Sequence, residues 1–355
     1  MIAGVSDARW TARRWAIRAC ASAAASTGLD ARGLARLSAG DVVVVNLHSV
    51  SPDRTSLASP ISPETLDGLV RWLLRRCRIA TLQAIEAAPA RDERPIAVLS
   101  FDDGYRDFLE YAMPVLDRHA VHAVVNVVPA CVDSGLPPWN VLLAERLQGL
   151  PDERLRAIRL PGLPAGPPGR GPEARIRYAV ALSRLLKMRP RADRHELVAE
   201  LCAQLGEPDG RPTTPMLSRA DLAEVARHHE IGLHSYDHDS MGFESDAFFR
   251  RDLQRCLGWA AAHLPVAPMV YAFPNGSARP AQVGIAHEAG LRDVLLGGEG
   301  PSRVGARAHP RIALFGSSDA ELRLRLARAL SAADGDAVAR TRYAQRRAAA
   351  ARVPL

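Results

Sequence analysis

The stretch Ile96-Ala-Val-Leu-Ser-Phe-Asp-Asp-Gly104 sets a continuous apolar run directly before two adjacent carboxylates and a glycine, and this combination decides the fold. An uninterrupted run of that length suits a strand buried on both faces, the kind a parallel sheet contains. Its carboxyl end is where barrel enzymes place catalytic groups, so Asp102 and Asp103 are candidates for chemistry at the mouth of a dry core. The competing reading is structural: Asp-Gly is a common turn dipeptide, and Asp103 would serve as a helix cap.

Working outward, residues 42–47 form a second buried β-branched run, and Ser62-Pro63-Glu64 places a cap and a first-turn proline before an apolar helical face on Leu66, Leu69, Val70, Leu73 and Leu74. A brief strand over 78–82, a helix over 105–118 and a strand over 122–128 continue a βαβ rhythm. Two stretches rich in proline and glycine, 160–172 and 206–215, then bracket a pair of helices broken near Pro190, which reads as an inserted helical lobe over about 138–215. The rhythm resumes with a helix capped by Ser218, a strand over 230–233, a helix over 246–263, a strand over 269–273 and a helix over 279–289. A short strand over 311–314 and helices from about 318 and 337 complete the chain. No GxGxxG or Walker-type loop follows any of these strands, so the expected architecture is an α/β fold of the (β/α) barrel type, not an open nucleotide-binding sheet.

Composition sharpens this. The 355 residues are 47% hydrophobic and carry a net charge of +7, with mean hydropathy near zero. Disordered, collagenous and coiled-coil classes are excluded, and no apolar run reaches the roughly 18 residues of a membrane span. The charge sits at the ends: residues 1–36 hold six arginines against two aspartates, and residues 337–355 hold five arginines and no acid. The body between them is close to neutral. Three segments follow, a basic N-terminal helical segment over 1–40, a catalytic body over 41–336 and a basic C-terminal helical tail over 337–355. The tails hold few aromatics, which argues against nucleic-acid binding and leaves them as solvated helices that touch an anionic membrane surface, a partner, or nothing. Arg18 interrupts the apolar part of a signal peptide, and five cysteines lie scattered without CxxC spacing, so a cytoplasmic location with reduced thiols is expected.

A second cluster, His234-Ser-Tyr-Asp-His238, again follows a strand. Two histidines four apart reach one metal if the backbone turns into a helix there, and imidazole suits zinc, cobalt or nickel. Two His plus one Asp leave coordination positions open, as a catalytic metal requires. The neighbouring His228-His229 shows that histidine pairs also occur here as spares.

These residues carry a resemblance. Ser100-Phe-Asp-Asp-Gly104 is similar to the T/S-F-D-D-G motif of the polysaccharide deacetylase family, also called the NodB-homology or carbohydrate esterase family 4 domain. His234-Ser-Tyr-Asp-His238 resembles its H-S/T-x-x-H motif, and Tyr271-Ala-Phe-Pro-Asn-Gly276 its F-x-Y-P-x-G loop, in the family's order. Asn46-Leu-His48-Ser-Val50 and Pro310-Arg311-Ile312 resemble further motifs of one branch, so the likeness runs from about residue 41 to 315.

The resemblance implies a deformed barrel and removal of an acetyl group from an N-acetylated carbohydrate. It implies that Asp103, His234 and His238 hold a divalent metal, zinc first, with Co2+, Ni2+ or Mn2+ as alternatives. It implies Asp102 as general base toward a metal-activated water, the backbone N–H of Asn275 as oxyanion donor, and His48 as the acid for the leaving amine. Tyr271, Pro274 and, from the lobe, Trp139 become candidate substrate contacts. The family's arginine two positions before the loop proline is Ala272 here, and Arg311 is the candidate substitute for orienting the base. A deformylase or amidase on a non-sugar amide, and a non-catalytic carbohydrate-binding homologue, are the alternative readings.

Overall fold

The computed structural model describes residues 3–53, 60–87, 92–160, 166, 171–206 and 213–331. The expected C-terminal tail over 337–355 lies outside the described residues. Among the described residues there are nine strands: β1 Asp41–Leu47, β2 Arg78–Ile79, β3 Ile96–Phe101, β4 Val124–Val127, β5 Glu230–Leu233, β6 Val270–Ala272, β7 Asp293–Gly297, β8 Ser302–Arg303 and β9 Ala308–Ala313. Seven of them close a parallel barrel in the order β1-β3-β4-β5-β6-β7-β9 and back to β1. The remaining β2 shares one edge of β3 with β4, and β8 runs antiparallel on β1. The ring is uneven: β5 and β6 share only the pair Leu233↔Tyr271. The (β/α) barrel expected from the sequence is therefore the fold, with β7 added to the strands anticipated.

Strand alternation fills the barrel. Val42, Val44, Ile96, Val98, Val124, Val270, Ala272 and Leu295 form one buried apolar cluster. Continuing the same alternation toward the carboxyl ends gives Asn46, Ser100, Asp102 and Asn126, all buried and polar. Residues of the opposite phase, such as Val43, Val45, Leu99, Phe101 and Val125, pack in the larger cluster with Leu66, Leu69, Val70 and Leu73 of helix Pro63–Leu74. That helix starts as expected, with Ser62 Oγ accepting from Thr65 N at 3.2 Å.

The expected 105–118 helix is divided. A π-helical turn over Phe108–Ala112 precedes a short α-helix over Met113–Arg118. Pro114 has no N–H to return to the carbonyl of Glu110, which accounts for the wider turn.

Between β4 and β5 the chain leaves the barrel for helices Trp139–Gln148, Asp152–Ala157, Pro172–Leu186 and Arg191–Leu205. These bury a core of their own, including Leu147, Leu155, Leu182, Leu186, Leu201 and Leu205. At the other end of the chain, helix Ala3–Ser26 lies against helix Asp319–Ser331. Among the described residues no helix is long and apolar enough to cross a membrane.

Candidate active site

The two adjacent carboxylates are sent to different environments by one backbone turn. Asp102 keeps the strand course, its N–H bonded to Leu47 O at 3.0 Å, and its side chain stays inside the barrel. Asp103 follows with φ 77 and Gly104 with φ 78, which reverses the chain. A left-handed aspartate is uncommon and costs on the order of 1–3 kcal/mol, so the surroundings must hold it. Of the five non-glycine residues with positive φ among the described residues, four belong to this site: Asp103, Ser235, His238 and Asn275.

Asp102 is held by three side chains. Arg311 Nη1 donates to its Oδ1 at 2.7 Å and Oδ2 at 2.5 Å, Asn126 Nδ2 to Oδ1 at 2.8 Å, and Asn46 Nδ2 to Oδ2 at 3.2 Å. Arg311 Nη2 also donates to Phe273 O at 2.8 Å, which fixes the guanidinium plane. Burial acts to raise the pKa of Asp102, but the Arg311 charge, with those of His234 and His48, outweighs it and leaves the carboxyl below its usual range. Gly232 makes room for this arrangement: a Cβ there would lie 2.2 Å from Asn126 Oδ1.

Asp103 faces the histidines instead. Its Oδ1 is 3.2 Å from His238 Nε2 and 3.5 Å from His234 Nε2, and it has no hydrogen-bond partner among the described residues. Ligand atoms about 2.1 Å from one tetrahedral ion would be spaced about 3.4 Å apart, so this buried triad has the separations of a ligand set. His234 Nδ1 lies 2.7 Å from Ala272 O, a carbonyl that only accepts, so Nδ1 carries the proton and Nε2 presents its lone pair. Burial lowers the His234 pKa to about 4 against the pull of Asp102, which keeps the imidazole neutral near pH 7. Burial likewise opposes ionisation of Asp103, but the charges of His238, His48 and His234 hold its pKa well below the usual range.

The spacing of the histidines works differently from the sequence expectation. No helix forms at 234–238. Ser235 (φ 62) and His238 (φ 61) are both left-handed, and it is this irregular turn that folds the second imidazole back toward the first. Asp252 supports the turn, accepting from Tyr236 N at 3.1 Å and Ser235 Oγ at 3.3 Å.

Burial pushes the pKa of Asp252 up to about 7, and the nearby Asp239 charge adds to the shift. With the folded pKa above the unfolded value of about 4, the stabilisation is present at low pH and is lost as pH rises through 7. Urea unfolding at pH 5 and pH 8 should therefore show an Asp252-dependent loss on the order of 2 kcal/mol that Asp252→Asn abolishes. An equal loss in both proteins would show that Asp252 titrates normally.

The other expected residues divide. His48 stands just beyond β1 and is exposed; with Leu47, Ser49, Ile61, Leu314 and Phe315 it lines a cavity of about 200 Å³. Asn275 is exposed at φ 56, its side chain donating to Ser240 Oγ at 2.9 Å. Tyr271 and Pro274, the expected substrate contacts, are buried. The Tyr271 ring packs between Phe249 and Phe273, and its hydroxyl reaches Asp252 Oδ2 at 3.4 Å. Trp139 packs on the lobe core under the guanidinium of Arg194, 4.8 Å from ring centroid to Cζ. His229 is buried away from the triad, its Nδ1 accepting from Ala123 N.

Several site residues carry no motif. Asn46 and Asn126 are polar interruptions of otherwise apolar strands, and that interruption is the signal by which they are detectable. Lys187, the chain's single lysine, sits where the first long lobe helix ends; burial lowers its pKa while the Asp103 charge opposes the shift.

Residues 217–294 match the family model described as polysaccharide deacetylase, a span that includes His234, His238 and the 271–276 loop but not Asp102 and Asp103. No curated protein matches the chain by sequence. Solved structures share the fold, the following two among them. The Streptococcus pyogenes deacetylase PplD, in complex with acetate, is 13% identical at a TM-score of 0.51, covering 81% of this chain and 97% of that one. IcaB from Ammonifex degensii is 17% identical at a TM-score of 0.51, with the same coverage. At these identities the likeness is one of fold.

Proposed function

Starting from the polysaccharide deacetylase relationship of residues 217–294 and of the barrel, we propose that this protein is a metal-dependent hydrolase that removes the acetyl group from an N-acetylated sugar or glycan. The observation that carries the reading is the division of labour between two neighbouring carboxylates. Asp103 turns to the Nε2 atoms of two imidazoles, while Asp102 is ionised against Arg311 within 3.7 Å of His234 Nε2. A structural turn needs neither arrangement.

Asp103, His234 and His238 are the residues that hold the divalent cation, and Zn2+ fits their two nitrogens and one oxygen. When bound, the cation supplies Lewis acidity toward water and the amide carbonyl. Asp102 takes the proton from the attacking water, its oxygens aimed by Arg311, Asn46 and Asn126. The Asn275 backbone N–H, presented by its left-handed turn at the barrel mouth, donates to the oxygen that gains charge as the carbonyl is attacked. His48, exposed beside the site and within the field of both aspartates, gives a proton to the departing amine. Acetate and a free amino sugar are the products.

Metal analysis coupled to an amine-release assay over N-acetyl sugars, sugar nucleotides and oligosaccharides tests the proposal. Stoichiometric divalent ion and amine release are expected, with Asp103→Ala losing both. A purified protein without bound divalent ion, unchanged by Asp103→Ala, would sink it.

A further inference from the structure

The inserted lobe meets the barrel through charges that its own helix disfavours. Arg191 and Arg194 stand in the first turn of helix Arg191–Leu205, at the positive end of the helix dipole, where cations are destabilising unless neutralised. The neutralising groups come from the loop that carries the second histidine. Arg191 Nη1 contacts Asp237 Oδ2 at 2.7 Å and Asp239 Oδ2 at 2.8 Å, and its backbone N–H donates to Glu244 Oε1 at 2.5 Å. Arg194 Nη2 takes the other oxygen of Asp239.

This contact is dry. Arg194 is 1% exposed and Asp239 0%, and the Arg194 guanidinium is roofed by Trp139 from another lobe helix. Asp239 follows His238 directly, and its N–H donates to Ser235 Oγ at 3.0 Å, closing the turn that contains both left-handed residues. Removing one partner of a buried pair leaves an uncompensated charge that relaxes by moving, and here the moving carboxylate is bonded through the chain to a ligand-position histidine.

We propose that the inserted lobe is part of the metal centre's framework: Arg194, seconded by Arg191, clamps Asp239 and so fixes His238 in its ligating position. Arg194 is thus a positioning residue, acting through Asp239 and touching neither substrate nor metal. The inference rests on the proposed metal-holding role of Asp103, His234 and His238. It adds that a lobe outside the barrel sets the affinity of the centre.

The test is the affinity of the metal-free protein for Co2+ and Zn2+, by chelator competition, with the Co2+ absorption spectrum as a geometric readout. Arg194→Met is expected to weaken binding about ten- to hundredfold and alter the spectrum, as loss of a group supporting a metal ligand does. Arg194→Lys should recover part of the loss. Because the effect runs through Asp239, Arg194→Met/Asp239→Asn should bind no more weakly than the weaker single variant. Arg175→Met is the control: it breaks the pair with Asp152 at 2.7 Å inside the lobe and should leave metal affinity unchanged. If Arg194→Met does not fold, Arg191→Met removes a less buried contact to the same carboxylate and should weaken binding several-fold.

Unchanged affinity in the folded Arg-to-Met variants, or an equal loss in Arg175→Met, overturns the clamp while leaving the metal site standing. A wild-type protein that takes up neither ion overturns the metal site and the clamp together.

Discussion

Asp102→Asn is expected to lower kcat for amine release by about 10²- to 10⁴-fold, the range associated with a positioned general base, while the protein still takes up one divalent ion. The amide keeps the shape of the carboxylate and can accept from Arg311, so the geometry survives better than in an alanine variant. What is lost is the negative charge that receives a proton. Uptake of metal should be retained because Asp102 is not one of the three residues proposed to hold it. Activity within tenfold of wild type, with metal content equal, would assign the base elsewhere.

The second large effect is expected at Arg311. Its guanidinium is buried, and among the described residues it is the one cation hydrogen-bonded to Asp102, through both carboxylate oxygens. Arg311→Met leaves a buried carboxylate without its counter-charge, a change that typically costs about 3–5 kcal/mol. The variant answers by holding a proton on Asp102 at higher pH, since the largest influence opposing desolvation is gone. The acid limb of the kcat/KM profile should therefore move to higher pH, and the denaturant midpoint should fall. Asp102→Asn/Arg311→Met removes both charges, so it should be more stable than the two single losses predict while remaining inactive. Additive losses of stability would mean that the two groups act independently, and an unmoved acid limb would mean that Asp102 does not control it.

The features that were readable in advance share a physical basis. Strands β1 and β3 are continuous apolar runs, and helices capped by Ser62 and Ser218 begin where those caps stand. Local chemistry was enough for these. Strand β7 was not readable: its apolar content is confined to Val294, Leu295 and Leu296, with glycines at 290 and 297, and its strand character comes from pairing with β6 and β9.

The site divides in the same way. Asp103, His234 and His238 carry recognisable spacing, and Arg311 could be nominated as a replacement because Ala272 leaves a vacancy in the family pattern. The left-handed turn at Ser235 and His238 could not be read, since spacing does not encode φ and positive φ is uncommon for any residue but glycine. Tyr271 shows what the motif does not convey: its ring packs with those of Phe249 and Phe273, and its hydroxyl reaches the support of the histidine loop. The Arg194–Asp239 pair, 45 residues apart, is likewise a product of tertiary contact, invisible in either segment alone.

The position of Arg311 in the chain also imposes an order on maturation. It lies on β9, the last strand to be synthesised, which seals the ring by pairing with β7 on one side and β1 on the other. Its partner Asp102 lies 209 residues earlier. Such distant contacts form late, after the loop entropy between them has been lost. Until β9 docks, Asp102 has no guanidinium to hold its charge in the interior, so closure of the barrel and ionisation of the proposed base are the same event. On the proposed mechanism, a nascent or C-terminally truncated chain that lacks β9 is expected to release no amine even though Asp103, His234 and His238 are already made, and to become competent only when the ring closes.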